Sequence, residues 1–493
     1  MLDHRCPHRC ASLFLGRNEM NAIRCIYHGW KFDVAGNCVD MPSVAAHQDF
    51  RHKVKAKAYK VVERAGIVWV YMGGRTEAPP LPAFEILDVS EGEINVGFVM
   101  RRCNYLQALE GEIDTSHFGF LHAGHVYIDD VPEDEPLRNT IINRAPEYHV
   151  TDTPWGTQYA GYRDIAAGQT YWRFGNVLFP FWSQAPNGEF TSHMHARAWV
   201  PLDDHHTMFV FMWWRKKTKA ANSMPTPLLK NGMPIGGAGR GNTLLPNTTD
   251  WLGRWRMADN EDNDWGIDRA AQRSNAIYSG IEGIHLQDQA ITESMGPVTA
   301  FEHEHLAPAD QMIARTRRRL LMAARALRDT GASPPGADLG DVYRGARSGY
   351  FVSTDQGEWR DIYAHQLDRS IRPRSTPICR HSINLRGQLQ TRSFIECRQA
   401  ITLNDILDNP QRKARMGLRY FTTRSGPMPT MVASNTNAPS FLIGEKCANF
   451  VLNNVGHNAP LGNTGPEWTS RVRVVSKCNA PDQSSRRIGS AWR

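Results

Sequence analysis

Two cysteine–histidine pairs stand near the start of this chain, Cys6-Pro7-His8 and Cys25-Ile26-Tyr27-His28, separated by sixteen residues. Each offers one thiolate and one imidazole from a short loop, which commits the segment to a small metal-binding module. Zinc ribbons repeat a Cys-x-x-Cys hook, and a Cys2His2 zinc site whose second hook is Cys-x-x-His is unusual. Two thiolates can instead hold one iron of a [2Fe–2S] cluster while two neutral imidazoles hold the other, which raises the reduction potential. Pro7 stiffens the first loop, and Gly29 lets the backbone approach inorganic sulfide closely. The segment therefore reads as an electron carrier. Tyr27 lies between the ligands of the second loop, so Cys10 has no disulfide partner there and is expected to be a small buried residue. A low-potential cluster that feeds an oxygen-activating iron fits better than a quinol-oxidising one.

A candidate iron site lies in the stretch from Asn104 to His122. His117 and His122 are five apart, about 140° around an ideal helix, so a straight helix would not aim both rings at one ion. Gly119 between them is where a break or bulge can swing the second imidazole round. Oxygen-activating non-haem iron needs two histidines and one carboxylate on one face, with open positions left over. The bland reading is a pair of satisfied core histidines on an amphipathic helix; the cluster motif upstream outweighs it. Asp288 is the best third ligand. Ile281, Ile284, Ile291 and Met295 recur around it at near-helical spacing, predicting a helix with one apolar face. Glu282, Glu293, Glu302 and Glu304 compete, and spacing alone does not choose among them.

These motifs resemble the Rieske non-haem iron aromatic ring-hydroxylating oxygenases, alpha (terminal oxygenase) subunit, and within them the phthalate dioxygenase and phenoxybenzoate dioxygenase group. The resemblance rests on Cys6-Pro-His8-Arg, Cys25-Ile-Tyr-His28-Gly-Trp-Lys-Phe-Asp33, the Asn104 to His122 stretch, Gln287-Asp288-Gln-Ala and Glu293-Ser-Met-Gly-Pro297. Arg269, Gln272-Arg273 and Glu304-His-Leu306 add to it, and it runs from residue 1 to about 365. It implies cluster ligands at Cys6, His8, Cys25 and His28, and Fe(2+) ligands at His117, His122 and Asp288. It also implies that Asp114 links His117 to a cluster histidine of a neighbouring subunit. A trimer-based homo-oligomer, dioxygen as co-substrate and an NAD(P)H-dependent reductase with flavin and ferredoxin-type centres are implied as well. The group favours an aromatic carboxylate of phthalate type. Ring hydroxylation, aryl ether cleavage and O-demethylation all stay open on one iron site. The alternative from another class is a Rieske electron-transfer protein with no iron beyond the cluster. Two departures stand out: Cys10 where the group usually has Gly, and Phe301-Glu-His in place of an Asp-Arg-containing stretch.

The resemblance implies an α+β chain: a Rieske β-domain over 1–75, lacking the family's first strands, then a helix-grip catalytic domain with an antiparallel sheet over 83–365. Val54 to Val62 and Gly66 to Met72 read as strands, and Pro79-Pro80-Leu81-Pro82 as a linker. His193 to Val200 and Thr207 to Trp214 read as two strands around a turn; Lys216 to Asn260 reads as a long loop, and Ala309 to Thr330 as a surface helix. Residues 371–493 carry 18 Lys and Arg against 6 Asp and Glu, a net of +12; the whole chain is +7, leaving −5 for residues 1–370. The basic balance thus belongs to the tail, whose composition predicts disorder, and nucleic-acid binding is not implied. No apolar run is long enough to span a bilayer. Without a signal peptide or a disulfide framework among nine cysteines, a cytoplasmic home is expected. Trp172, Phe179, Phe181, Trp182 and Trp213 can line a pocket for an aromatic ring, although aromatics at strand spacing are more often core. Arg173 can pair bidentately with a substrate carboxylate; a structural ion pair is the commoner role for such a residue.

Overall fold

Turns divide the first forty residues into very short strands. In the computed structural model, β1 (Arg17–Glu19), β2 (Ala22–Arg24), β3 (Lys31–Asp33) and β4 (Cys38–Asp40) form an antiparallel meander in that order. It packs on a small core of Cys6, Leu13, Cys25, Trp30, Phe32, Cys38, Met41 and Ala56. The hairpin of β5 (Lys60–Arg64) and β6 (Ile67–Tyr71) follows. The strand expected from Val54 thus starts only at Lys60, because Lys55 and Ala58 instead make isolated bridges to Asn37 and Leu2. The structure describes residues 1–165, 168–214, 228–237 and 243–370, all within the first of two compact units, Met1–Val455. The basic tail and the second unit lie outside the described residues.

The second region is built on β7 (Ile94–Arg101), β8 (Glu147–Thr153), β9 (Gly156–Ile165), β10 (Gln169–Leu178), β11 (Trp182–Gln184), β12 (His195–Pro201), β13 (Thr207–Trp214) and β14 (Gly349–Ser353). They form one antiparallel sheet in the order β7-β13-β12-β11-β10-β9-β8, with β14 also paired to β10. The two strands expected around residues 193–214 are present. The described part of the expected loop, 228–237 and 243–260, contains only isolated bridges.

Side chains alternate across a strand, so the sheet has two distinct faces. One carries α1 (Tyr105–Ile113), α4 (Ile284–Ser294) and α5 (Gln311–Thr330). Thr157 of β9 hydrogen-bonds Thr316 of α5 at 2.8 Å, and Arg197 of β12 pairs with Glu112 of α1. The opposite face of β10 packs against α6 (Trp359–Arg369) through Phe174, Trp359, Ile362 and Tyr363. Two short helices, α2 (Arg138–Ile142) and α3 (Arg269–Arg273), complete the set.

Buried polar contacts fix α1 against its neighbours. Arg317 of α5 grips Glu110 bidentately, 2.6 Å from each carboxylate oxygen. Gln107 donates to the carbonyls of Thr292 and Gly296, both at 2.8 Å. The helix predicted around Asp288 exists, but its buried side is Leu286, Gln287, Gln289, Ala290, Thr292 and Glu293, whereas Ile291 and Met295 are exposed. The apolar spacing was only partly right: Ile281 is buried ahead of the helix, but Ile291 and Met295 face out, and α4 docks through hydrogen bonds from Gln107 together with Leu286 and Ala290.

Candidate active site

The two cysteine–histidine loops are built alike. Cys10 N donates to Cys6 O, and Gly29 N to Cys25 O, both at 2.9 Å. The closing residue is left-handed in each, with φ 78° at Gly29 and 59° at Cys10. Gly29 also leaves room for Pro42, whose Cγ a Cβ would meet at 2.7 Å. Cys10 adopts the same turn at a cost of about 1–2 kcal/mol. It is exposed, which corrects the expectation of a buried residue: the turn leaves it outside the packed group around Cys6, Cys25, Trp30 and Phe32.

Cys6 and Cys25 are buried, and burial, with Cys25 alongside, pushes the Cys6 thiol up to about 11. His8 stacks on Trp30 with centroids 4.3 Å apart and meets the His28 ring edge-on at 4.4 Å. Its Nδ1 is buried without a partner among the described residues. Two adjacent buried cysteines, beside two imidazoles with an orphaned nitrogen, form a donor set that fits a [2Fe–2S] cluster. Coordination would deprotonate the thiols outright and satisfy that nitrogen.

The second centre is assembled from three places. α1 is capped by the Asn104 side chain, which accepts from Leu106 N, and it stops at Asp114, which has extended dihedrals. His117 then enters a single π-helical turn, Phe118–His122. That turn is the expected bulge, and it brings the two imidazoles together where a straight helix would part them. Gly119 matters for space rather than for dihedral freedom: a Cβ there would lie 3.1 Å from Arg144 Cγ.

His117 Nε2 and His122 Nε2 are 3.0 Å apart, and Asp288 Oδ1 stands 3.5 and 3.1 Å from them. Ligand atoms about 2.1 Å from one ion and mutually cis lie about 3 Å apart, so these three can occupy one face of a six-coordinate ion. They are also the one His/Cys/Asp/Glu group among the described residues with ligand atoms this close together. Two of the four competing acids are committed elsewhere. Glu293 accepts from Arg102 N and Trp265 Nε1, and Glu304 pairs with Arg317.

Neighbours set the ring orientations. His122 Nδ1 faces Gln287 Oε1 at 2.6 Å, and Gln287 is itself held by Ile281 O at 2.7 Å and Ser279 Oγ at 3.0 Å. His122 thus donates through Nδ1 and leaves Nε2 free to bind. Asp114 Oδ2 lies 3.6 Å from His117 Nδ1, while Oδ1 accepts from Ser116 N at 2.8 Å and Ser116 Oγ at 2.5 Å. Burial opposes every charge here, yet the contacts win. The carboxylates of Asp114 and Asp288 hold His117 up at about 10, His117 and Ser116 bring Asp114 down to about 2, and the two rings hold Asp288 well below the carboxylate range. A site this negative is suited to a divalent cation, which replaces the proton on His117 as it binds.

Arg173 and Trp172, both substrate candidates from sequence, part company because neighbours on a strand face opposite ways. Trp172 packs with Tyr162, Phe174 and the α6 cluster on the far face, so it does not line the site. Phe181 and Trp182 stack on each other, and Trp182 packs on Phe84. Arg173 is on the helix-covered face: its Nε donates to Thr115 Oγ1 at 2.8 Å and its Nη1 to Tyr171 Oη at 3.2 Å. Among the described residues no carboxylate pairs with it, so the commoner structural ion pair is not what holds it. Arg163, on the same face of β9, is also buried; Nε donates to Asn143 O, but among the described residues Nη1 and Nη2 have no partner. Nothing local in the sequence marked Arg163, and Gln287 entered only as part of the Gln287-Asp288-Gln-Ala motif, with no role of its own.

His193 and His195 were likewise unmarked. Burial, with Arg197 and Arg347 nearby, pulls His193 down to about 3 and His195 well below its usual value. Both rings stay neutral in the fold but take up protons below about pH 6.5 when unfolded. Stability therefore falls as pH drops from about 6.5 towards 3, by about 2 kcal/mol at pH 5 from His193 alone, with His195 acting in the same direction. Urea unfolding followed by tryptophan fluorescence should show a lower midpoint at pH 5 than at pH 7; equal midpoints would contradict this.

Residues 1–60 match the family described as "Rieske [2Fe-2S] domain", and residues 70–370 match "LigXa C-terminal domain like". The chain is 48% identical to the oxygenase subunit of 3-chlorobenzoate-3,4-dioxygenase from Comamonas testosteroni, over 76% of this chain and 85% of that one. It is 31% identical to the oxygenase subunit of phthalate 4,5-dioxygenase from Pseudomonas putida (74% and 81% covered). Identity to phenoxybenzoate dioxygenase subunit alpha from Ectopseudomonas oleovorans is 28% (72% and 78% covered). The chain belongs to the Rieske non-haem iron aromatic ring-hydroxylating oxygenases, as an oxygenase subunit. It is an oxidoreductase that uses a Rieske [2Fe–2S] cluster, a mononuclear iron and dioxygen. No helix among the described residues is long and apolar enough to cross a membrane.

Proposed function

We propose that this chain is the terminal oxygenase of a system that hydroxylates an aromatic carboxylate, with His117, His122 and Asp288 as iron ligands and Arg173 as the carboxylate anchor. One observation carries the reading: a buried guanidinium that has no acid partner among the described residues donates to Thr115, within the Asp114–His117 segment of the proposed iron site. Burying an unpaired charge is expensive, and a bound carboxylate would repay that cost through charge-assisted hydrogen bonds. Arg163, with two unpaired nitrogens on the same sheet face, adds to the demand for an anion. The names of the three relatives support it, since chlorobenzoate, phthalate and phenoxybenzoate are all aromatic carboxylates.

In this reading residues 1–75 carry the cluster on Cys6, His8, Cys25 and His28, and residues 83–365 carry the iron. When bound, the iron supplies oxygen activation, driven by electrons from a flavin- and ferredoxin-type NAD(P)H reductase. The chain's residues do the rest. Arg173 orients the ring, Gln287 and Asp114 hold the two imidazoles in their binding orientations, and the sheet and helices exclude water. Asp114 also joins His117 to a cluster histidine of the next protomer in a trimer-based assembly.

The test is oxygen uptake with a surrogate reductase and a panel of benzoates and phthalates. Arg173→Met keeps much of the volume and removes the charge. It should raise KM for aromatic carboxylates about 10- to 100-fold and leave the iron content unchanged. Equal kinetics in the variant would remove Arg173 from substrate binding, and the absence of turnover with every carboxylate would remove the substrate class.

A further inference from the structure

His195 of β12 and Trp213 of β13 are cross-strand partners, next to the pair Arg197 and Phe211. Arg197 reaches Glu112 of α1, so this rung faces the helix that leads into the turn bearing His117 and His122. A strip of rings runs along it. Trp213 stacks on Phe211 with centroids 5.1 Å apart, and Phe211 stacks on His285 at 5.7 Å. His285 sits one turn before Asp288 on α4. The His193 ring lies 4.9 Å from that of His195.

All three side chains at the end of this strip are more than nine-tenths buried, with exposures of 8% for His193, 4% for His195 and 6% for Trp213. Yet among the described residues His193 Nε2, His195 Nε2 and Trp213 Nε1 have no hydrogen-bond partner. A polar atom left unpaired in a dry interior is costly, and three gathered at one end of the strip call for a partner. The nearby acids turn one oxygen each elsewhere, Glu112 to Arg197 and Glu85 to Arg347, and among the described residues neither bonds these nitrogens. Trp213 Nε1 can only donate, so the missing partner has to be an acceptor.

We propose that His195 and Trp213, with His193 behind them, form a second recognition point of the substrate site that hydrogen-bonds an oxygen substituent on the aromatic ring. This rests on the aromatic-carboxylate reading above and narrows it. A ring lying against Phe211 would present a hydroxyl, ether or second carboxyl oxygen to these groups. The substrate is then a benzoate with an oxygen substituent rather than an unsubstituted or purely apolar one.

The test measures binding to the holoenzyme by calorimetry, with benzoate, the three monohydroxybenzoates and phenol as probes. Trp213→Phe keeps an aromatic ring and deletes the donor; His195→Leu is the second variant. The best hydroxybenzoate should bind the unmodified protein about 10-fold tighter than benzoate, and either variant should erase that margin while benzoate binding holds. Equal losses for benzoate and hydroxybenzoate would make the cluster structural, and no loss for either would mean that ordered water alone occupies it. If benzoate fails to bind the unmodified protein, the carboxylate reading falls. Phenol binding that is lost in Trp213→Phe would still support the oxygen site; phenol that binds both alike, or neither, would overturn it.

Discussion

Replacing Asp288 with alanine is expected to yield a folded protein that keeps its cluster absorption, loses the mononuclear iron and drops in substrate oxidation by more than about 100-fold. The acid is the one group that closes the site. Its Oδ1 lies within 3.5 Å of both Nε2 atoms, whereas Glu293 and Glu304 are tied to Arg102, Trp265 and Arg317. Without it the two imidazoles remain 3.0 Å apart with nothing to offset a second positive charge between them. Asp114 cannot substitute, because it meets the Nδ1 edge of His117 rather than the Nε2 edge. Iron per chain, measured by metal analysis beside the visible spectrum, reads the two centres separately. An Asp288→Ala protein that retains its third iron would show that the triad is misassigned.

What the sequence made legible follows from where the information sits. The cluster loops are local: each ligand pair lies within four residues, so spacing alone displays the donor set. The π turn was half legible, since a five-residue interval with Gly119 inside it demands a departure from the straight helix. The position of Asp288 on a helix was legible as well. The buried face of that helix was not, because Gln107, Gln287 and Glu293 dock it by hydrogen bonds and no apolar period reports such contacts. Trp172 and Arg173 show the same limit on a strand. Alternation says that they face opposite sides, but only the placement of α1 and α6 says which side holds the iron site. Arg163, Gln287, His193 and His195 gain their meaning from missing or distant partners, and neither property is written in neighbouring residues.

Asp114→Asn isolates the proposed link between protomers. The carboxylate ends α1 and is about a quarter exposed, so it reaches the surface while still facing His117. One oxygen is occupied by Ser116, through its N at 2.8 Å and its Oγ at 2.5 Å. Asparagine can keep those two contacts with its carbonyl oxygen, because only acceptance is asked of it. What changes is the other side, where an amide would replace the anionic oxygen facing His117 and, in the proposed assembly, the neighbour's cluster histidine. The iron triad and both cluster loops are untouched, so metal content and the cluster spectrum should match those of the unmodified protein. Substrate oxidation should fall at least about 100-fold, the upper end of what losing a partner behind a ligand costs. The deficit should lie in electron delivery: after rapid mixing of the reduced protein with substrate and dioxygen, the cluster should stay reduced far longer. Normal reoxidation with normal turnover would disprove the bridge. Loss of iron from the variant would instead assign Asp114 to holding the His117 ring, with no part in contact between protomers.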